Sequence, residues 1–377
     1  SYSVTGVQTC ALPISMKVPE PAPWVSTIPE YVPGRSKTEI AREYGVASPI
    51  KLASNENPLG PSPKALAAMH SACGDAHLYP DPDSLALRVA AARFFGSTPD
   101  RIVAGNGSDE IIDLVCRAYL RPGDEVVIPA CTFSYYGIAA RTCGAVVTHA
   151  PMRELRIDVT GIVESLGGET RIVFVANPNN PTGTCLVRDE VLELMNRVPR
   201  DVLVVMDEAY GAFTRTPEFT SCVGLVGENP NLVTVHTLSK SHGLAGMRVG
   251  FGIAPRPVLE TMLRIKPPFN VNHLAQKAGE AALDDKDFLR RTLKITWDGL
   301  DMLYASFDRL GLPYVPSQTN FVMVHIGEHA LRVYETLLRK GIITRSMASF
   351  GLDEYIRVSV GTPGENDAFV AALEEAL

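Results

Sequence analysis

The chain has 377 residues, 46% of them hydrophobic and 20% charged, and a net charge of −7 at pH 7. That length and apolar content allow two or three domains with a sizeable core, and the acidic balance argues against nucleic acid or an anionic membrane as the main partner. No run approaches the ~18 apolar residues of a membrane span. The seven cysteines form no C-x-x-C pair and no metal-like cluster with histidine, so free thiols in a reducing cytoplasm and no metal are expected.

The first fifteen residues, "SYSVTGVQTCALPIS", lack the basic n-region and long h-region of a signal peptide. "VTGVQTCALPI" coincides with one reading frame of a sequencing-library adapter, so residues 1–15 are expected to be a non-native extension ahead of Met16. Residues 16–50 are rich in proline and glycine. They predict an arm that ends in a short helix over Lys37–Tyr44 and lies across another domain or another subunit. "SPKALAAMHSAC" and "DSLALRVAAARFFG" have helical spacing, with Ser62 and Asp83 as capping residues. Seven short β-rich runs follow: "RIVAG", "EVVIP", "AVVTH", "RIVFVANP", "VLVVMDE", "LVTVH" and "VGFGI". Most are continuously apolar, as strands covered on both faces are, and helical segments separate them. An α/β large domain over residues 51–271, with a mostly parallel sheet of about seven strands, is expected. From residue 272 a long helical stretch, then "FVMVHI", "YIRVSVG" and further helices predict a smaller α+β domain, 272–377.

Ligands of open α/β sheets sit beyond the carboxyl ends of the strands, and the polar oddities of this sequence lie there. "RIVAG" leads into Gly107-Ser108-Asp109 at a helix start, where free N–H groups and the helix dipole suit a phosphate, although taken alone a capped turn is the favoured reading. Phe133, after "VIP", is either core or the cover of a flat ligand. "NPNNPTGT" is a proline-stiffened turn that can aim the amide of Asn180. Asp207 ends a wholly apolar strand, which is costly without a cationic partner; a buried salt bridge and a protonated ring nitrogen both answer. After "LVTVH" come Thr237, Ser239, Lys240 and Arg248. A lysine at a dry strand end has its neutral amine favoured, as a nucleophile requires. A carboxylate for a ring nitrogen, an amine, a phosphate cradle, an asparagine and a tyrosine together specify pyridoxal 5′-phosphate.

In the order "YVPGR", "KLASNENPLGPSP", "LYPDPDS", "GNGSDEIIDL", "NPNNPTG", "DEAY", "TLSKSHGLAGMRVG", "PFNVN" and "IRVSVGT", the sequence resembles fold-type I pyridoxal-phosphate aminotransferases, and most closely the histidinol-phosphate aminotransferase family. The resemblance runs from about Trp24 to the C-terminus. It implies the aspartate-aminotransferase-like fold and a cytoplasmic homodimer with shared active sites. Lys240 is implied as the Schiff-base lysine and Asp207 as the partner of the pyridine nitrogen. Tyr210 and Asn180 are implied as partners of the cofactor's phenolic oxygen, and Gly107, Ser108, Asp109, Thr237, Ser239 and Arg248 as the phosphate site. Phe133 takes the stacking position, often tyrosine in relatives. Tyr79 is implied to reach the neighbouring subunit's cofactor. Arg357 is implied to bind the substrate carboxylate, with Arg345 and Tyr31 at the distal, phosphate-bearing end of the substrate.

The implied reaction joins a small-molecule amino donor, histidinol phosphate, to a 2-oxo acid acceptor, 2-oxoglutarate. Histidinol phosphate has no α-carboxylate whereas glutamate has two carboxylates, so the arginines must take a phosphate and a carboxylate in turn. That tolerance leaves aromatic amino acid transamination as the nearest alternative. An amino-acid-phosphate decarboxylase is a second class, and a regulator with an aminotransferase-like domain a third, disfavoured because no helix-turn-helix or basic stretch precedes residue 50. His242, inside the lysine motif, reads as packing beside the lysine loop.

Overall fold

A computed structural model describes residues 19–30 and 34–377. The expected extension 1–15, Cys10 and Tyr31 lie outside the described residues. In chain order the elements are α1 (Lys37–Tyr44), β1 (Ile50–Lys51), α2 (Pro63–Ala72), α3 (Leu85–Phe95), β2 (Ile102–Asn106), α4 (Ser108–Tyr119), β3 (Glu125–Pro129), α5 (Tyr135–Thr142), β4 (Val146–Ala150), β5 (Met152–Arg153), β6 (Arg156–Ile157), α6 (Val159–Glu164), β7 (Thr170–Ala176), α7 (Arg188–Arg197), β8 (Leu203–Asp207), β9 (Leu232–Thr237) and β10 (Val249–Ile253). There follow α8 (Arg256–Ile265), α9 (His273–Leu283), α10 (Lys286–Leu310), β11 (Tyr314–Val315), β12 (Phe321–His325), α11 (Ala330–Arg339), β13 (Ile342–Ile343), β14 (Arg345–Ser346), β15 (Tyr355–Ser359) and α12 (Pro363–Ala376).

All seven β-rich runs enter one sheet, in the order β2-β10-β9-β8-β7-β3-β4. Its apolar strands feed two cores. On β7, Val173 and Val175 join one while Ile172 and Phe174 join the other; on β8, Val204 and Met206 face one way, Leu203 and Val205 the opposite way. With both faces dry, alternation disappears from the sequence, and each large side chain so buried is worth about 1.5–3 kcal/mol. The edge strand β4 is the exception: Val146 is exposed.

Five strands run parallel from β4 to β9, and β10 is antiparallel to both β9 and β2. This reversal matters for the site. The start of β10 lies at the edge where its neighbours end, with Val249 opposite Asn106 and Gly250 opposite Thr237. Arg248, which precedes β10, therefore joins the strand-end residues.

Ser62 caps α2, accepting from the Ala65 N–H. Asp83 does not cap α3, contrary to expectation. The helix starts at Leu85, and its first N–H donates to Asp81 Oδ2 at 2.7 Å, while the other oxygen of Asp81 accepts from Asp83 N. Asp81 is the residue whose side chain lies the right reach ahead of the first turn.

A second sheet, β11-β12-β15-β14, packs on α10, α11 and α12 around Phe307, Val322, Val333 and Phe369. The short helix of the arm, α1, forms over Lys37–Tyr44 as its spacing predicts. A Ser36–Glu39 capping box starts it, and Ile40 is buried against Leu338 and Ile343 of this second unit. β1 pairs with β13, and Leu52 joins the same core. Conversely, Ala275, Ala278 and Ala282 of α9 pack into the large-sheet core with Leu87 and Ala90.

Candidate active site

At the carboxyl edge of the large sheet lies a cavity of about 230 Å³. Ser108, Asp109, Phe133, Asn180, Asp207, Tyr210, Thr237, Ser239, Lys240, Arg248, Arg345 and Arg357 all line it. These residues span the second through last strands of the chain, and the sheet order gathers them at one place.

The floor is Asp207, the last residue of β8, 5% exposed. Burial pushes its carboxyl up to about 6, opposed by hydrogen bonds from the Tyr136 hydroxyl (2.7 Å to Oδ2) and the Ala209 N–H (3.0 Å to Oδ1). Both partners are neutral. Among the described residues no lysine or arginine forms an ion pair with it, so the buried-salt-bridge reading of Asp207 is not realised. Tyr136 is itself fully buried and stacked on Phe174 with centroids 4.9 Å apart, which fixes its hydroxyl.

Lys240 leaves the end of β9 and its Nζ donates to the Ser54 carbonyl at 3.1 Å, 5.8 Å from the centre of the Tyr210 ring. Its backbone is held from the far side. Asn57 Nδ2 reaches the Lys240 and Ser241 carbonyls at 3.3 and 3.2 Å and Thr292 of α10 at 3.0 Å. The loop turns back at Gly243, whose φ is +68° and where a Cβ would come 2.0 Å from the Gly60 carbonyl oxygen, so only glycine fits.

Beside the lysine is an anion cradle. The N-terminus of the twelve-residue α4 opens at Ser108 after Gly107, and a Cβ on Gly107 would sit 2.5 Å from Arg248 Nη2. Arg248 donates to Asp109 Oδ2 (2.9 Å) and Ser239 Oγ (3.4 Å), and Thr237 donates to Ser239 Oγ (2.9 Å). Helix dipole, guanidinium and hydroxyls thus face one small space.

The opposite wall comes from the second sheet. Arg345 on β14 and Arg357 on β15 are direct register partners. Arg357 donates to the Ala53 carbonyl at 2.9 Å and to Asn180 Oδ1, and its guanidinium lies 4.9 Å from the Phe321 ring centre. Asn180 is therefore oriented by Arg357. Phe133 lines the cavity with its ring edge-on to Tyr136.

One predicted residue is not brought here. Tyr79 is 82% exposed and stacks on Phe269, with centroids 4.7 Å apart, away from its own chain's cavity. His242 is buried, with Nδ1 3.0 Å from Ser241 Oγ and its ring edge-on to Phe94; burial pushes it down to about 4, and it does not line the cavity. It packs beside the lysine loop as expected, with its Nε2 buried and, among the described residues, without a hydrogen-bond partner. Sequence reasoning missed Tyr136 and Asn55. The i, i+3 spacing of two aromatics, Phe133 and Tyr136, at a helix start was the available signal for the first. Asn55 stands inside the "KLASNENPLGPSP" run without a role.

The donor set fits pyridoxal 5′-phosphate. A buried carboxylate with only neutral partners suits a protonated ring nitrogen, the Lys240 amine suits an aldehyde, and the Gly107–Arg248 cradle suits a phosphate. No group of three or more metal-binding side chains occurs among the described residues.

Comparison with known proteins agrees. The family model described as aminotransferase class I and II matches residues 47–373. A histidinol-phosphate aminotransferase of Bdellovibrio bacteriovorus is 44% identical over 94% of this chain and 98% of its own length. One from Symbiobacterium thermophilum is 43% identical over 92% and 96%. The crystal structure of histidinol-phosphate aminotransferase from Sinorhizobium meliloti in complex with pyridoxal-5′-phosphate superposes with a TM-score of 0.89 at 27% identity, covering 96% of this chain and 98% of that one. An aspartate aminotransferase variant of Thermus thermophilus, 22% identical with a TM-score of 0.82, shares the fold. The chain belongs to the class I and II aminotransferases, in the histidinol-phosphate aminotransferase family.

Proposed function

We propose that this protein transfers the amino group of histidinol phosphate to 2-oxoglutarate, giving imidazole acetol phosphate and glutamate, with pyridoxal 5′-phosphate as cofactor. The observation that carries the substrate assignment is the pairing of Arg345 with Arg357 across β14 and β15, both lining the cavity. Two guanidiniums side by side suit a phosphate-bearing substrate and, alternately, a dicarboxylate. The names of the relatives at 40–44% identity support it over aromatic amino acid transamination.

When bound, pyridoxal 5′-phosphate supplies an aldehyde for the amine and a ring that accepts electrons. Asp207 holds the negative charge that keeps the ring nitrogen protonated. Tyr210 and Asn180 would present polar atoms to the ring oxygen, Phe133 would cover the ring, and Ser108, Asp109, Thr237, Ser239 and Arg248 would hold the phosphate. Lys240 Nζ, as a free amine, would take the proton from the substrate α-carbon as general base. Its resting contact with the Ser54 carbonyl keeps the amine within the cavity rather than in solvent.

Steady-state rates with histidinol phosphate and with phenylalanine, each against 2-oxoglutarate, test the assignment. We expect kcat/KM at least about tenfold higher for histidinol phosphate, since one well-placed charge-assisted contact is worth ~1.5–3 kcal/mol. The reverse ranking would refute it, and carbon dioxide release without keto product would indicate a decarboxylase.

The same reading makes the protein a cytoplasmic homodimer with shared sites. Its support here is the exposed stack of Tyr79 on Phe269, apolar surface that a second copy would cover. Light scattering should give twice the 40.8 kDa chain mass, and a monomer would contradict it. It also divides the chain into an arm, a large domain and a small domain. α9 goes with the large domain by its packing, and Ile50–Lys51 with the small one. No helix among the described residues is long and apolar enough to cross a membrane.

A further inference from the structure

The segment between β1 and α2 carries Asn55, buried and left-handed (φ 55°), a conformation that asparagine tolerates better than most residues. Its hydrogen bonds form a closed circuit. The Asn55 N–H donates to Ser359 Oγ at 2.9 Å, so the serine oxygen is already an acceptor. Ser359 then spends its single proton on Asn55 Oδ1, also at 2.9 Å. With Oδ1 fixed as acceptor, the other end of the amide is the NH₂, and it donates to the Tyr210 hydroxyl at 2.9 Å. The Asn320 amide holds the Asn55 carbonyl at 3.0 Å, so the backbone is anchored as well.

An amide N–H has no acceptor capacity. Tyr210 can therefore only accept from Asn55, and its own proton must point elsewhere. Tyr210 is 5% exposed and lines the cavity, so the direction left for that proton is into the site.

We propose that Asn55 is a positioning residue that holds Tyr210 as a hydrogen-bond donor toward the cofactor's ring oxygen, its own orientation being set by Ser359. The proposal rests on the pyridoxal-phosphate reading above and extends it. It also joins the two halves of the site, because Ser359 lies two residues beyond Arg357 on β15 while Tyr210 follows β8. The arginine strand and the cofactor tyrosine are tied through one side chain.

The test is the pH titration of the visible absorbance that pyridoxal 5′-phosphate acquires on binding Lys240. A donor on the ring oxygen lowers the apparent pKa of that transition, and one hydrogen bond is worth about one pH unit. Asn55→Gly, which keeps the left-handed backbone and adds no charge, should raise the pKa by about 0.5–1 unit, as should Tyr210→Phe. Asn55→Gly added to Tyr210→Phe should then change nothing further, because its effect acts through the hydroxyl. Ser359→Ala, which touches neither Tyr210 nor the cavity, should shift the titration in the same direction by less. A merely structural role would lower thermal stability and leave the pKa in place. Wild-type pKa values in both Asn55→Gly and Ser359→Ala would overturn the proposal, as would a full additional shift in the Tyr210→Phe background. If the wild-type chain acquired no lysine-dependent absorbance at all, the pyridoxal-phosphate reading would fall and this proposal with it. A normal wild-type titration that the variants leave unmoved would remove only the role of Asn55.

Discussion

Lys240→Ala should abolish transamination, lowering kcat by about four orders of magnitude or more, while the protein still folds. Two functions vanish with the amine: the covalent tether and the general base at the substrate α-carbon. General acid–base catalysis alone is worth roughly 10²–10⁴, and loss of the nucleophile adds to it. The fold should survive because the side chain's hydrogen bond goes to one carbonyl, that of Ser54, and the loop is held independently by Asn57 and by the contact of Gly243 with Gly60. The decisive measurement combines activity with absorbance. The variant should melt within a few degrees of wild type and bind pyridoxal 5′-phosphate without the lysine-dependent visible band. An intact band in Lys240→Ala would remove this residue from the centre of the mechanism.

The lysine was legible in the sequence by its position, between an apolar strand and a glycine-punctuated loop. A charged or polar group at the end of a continuously apolar strand interrupts the pattern, so Lys240, Asp207 and Asn180 stand out in the sequence. In the structure Asp207 is buried, whereas Lys240 and Asn180 are half-buried, so the dry setting expected for the lysine is only partly realised. The seven strands were legible because two-sided burial writes an unbroken apolar run. What such a run does not carry is direction. "VGFGI" reads the same whether β10 is parallel or antiparallel, yet its reversal is what brings Arg248 to the strand ends. Contacts between distant residues were equally silent. Tyr136 meets Asp207 across 71 positions and Asn55 meets Tyr210 across 155, and neither pairing leaves a local pattern. The same limit explains Asp83. Two acidic residues, Asp81 and Asp83, stand in the turn before α3, and backbone geometry rather than composition selects Asp81 as the one that accepts from the first N–H of the helix. Residue 272 marked the point where a long helical pattern begins, but periodicity does not say which core a helix faces, and α9 faces the large sheet.

Asp207→Asn tests the other half of the electrostatic design. Asparagine keeps the shape and can still accept from Tyr136, but it offers no negative charge to a protonated ring nitrogen. Breaking one side of a buried charge pair costs about 3–5 kcal/mol, which corresponds to a kcat some 10²–10⁴ lower. The wild-type carboxyl also makes a pH-dependent prediction. In the cofactor-free chain burial holds it at about 6, above its ordinary value near 3.8. Between those two values the folded chain keeps a proton that the unfolded chain has released. The cofactor-free fold therefore loses stability as pH rises from about 4 to 6 and gains none back above it. A cationic ring nitrogen beside the carboxylate removes that penalty. The rise in melting temperature on adding pyridoxal 5′-phosphate should accordingly be larger at pH 7.5 than at pH 4.5. In Asp207→Asn, which has no proton to release, the difference between the two pH values should shrink. An unchanged pH dependence in the variant, or activity within tenfold of wild type, would mean that Asp207 is not the counter-charge of the ring.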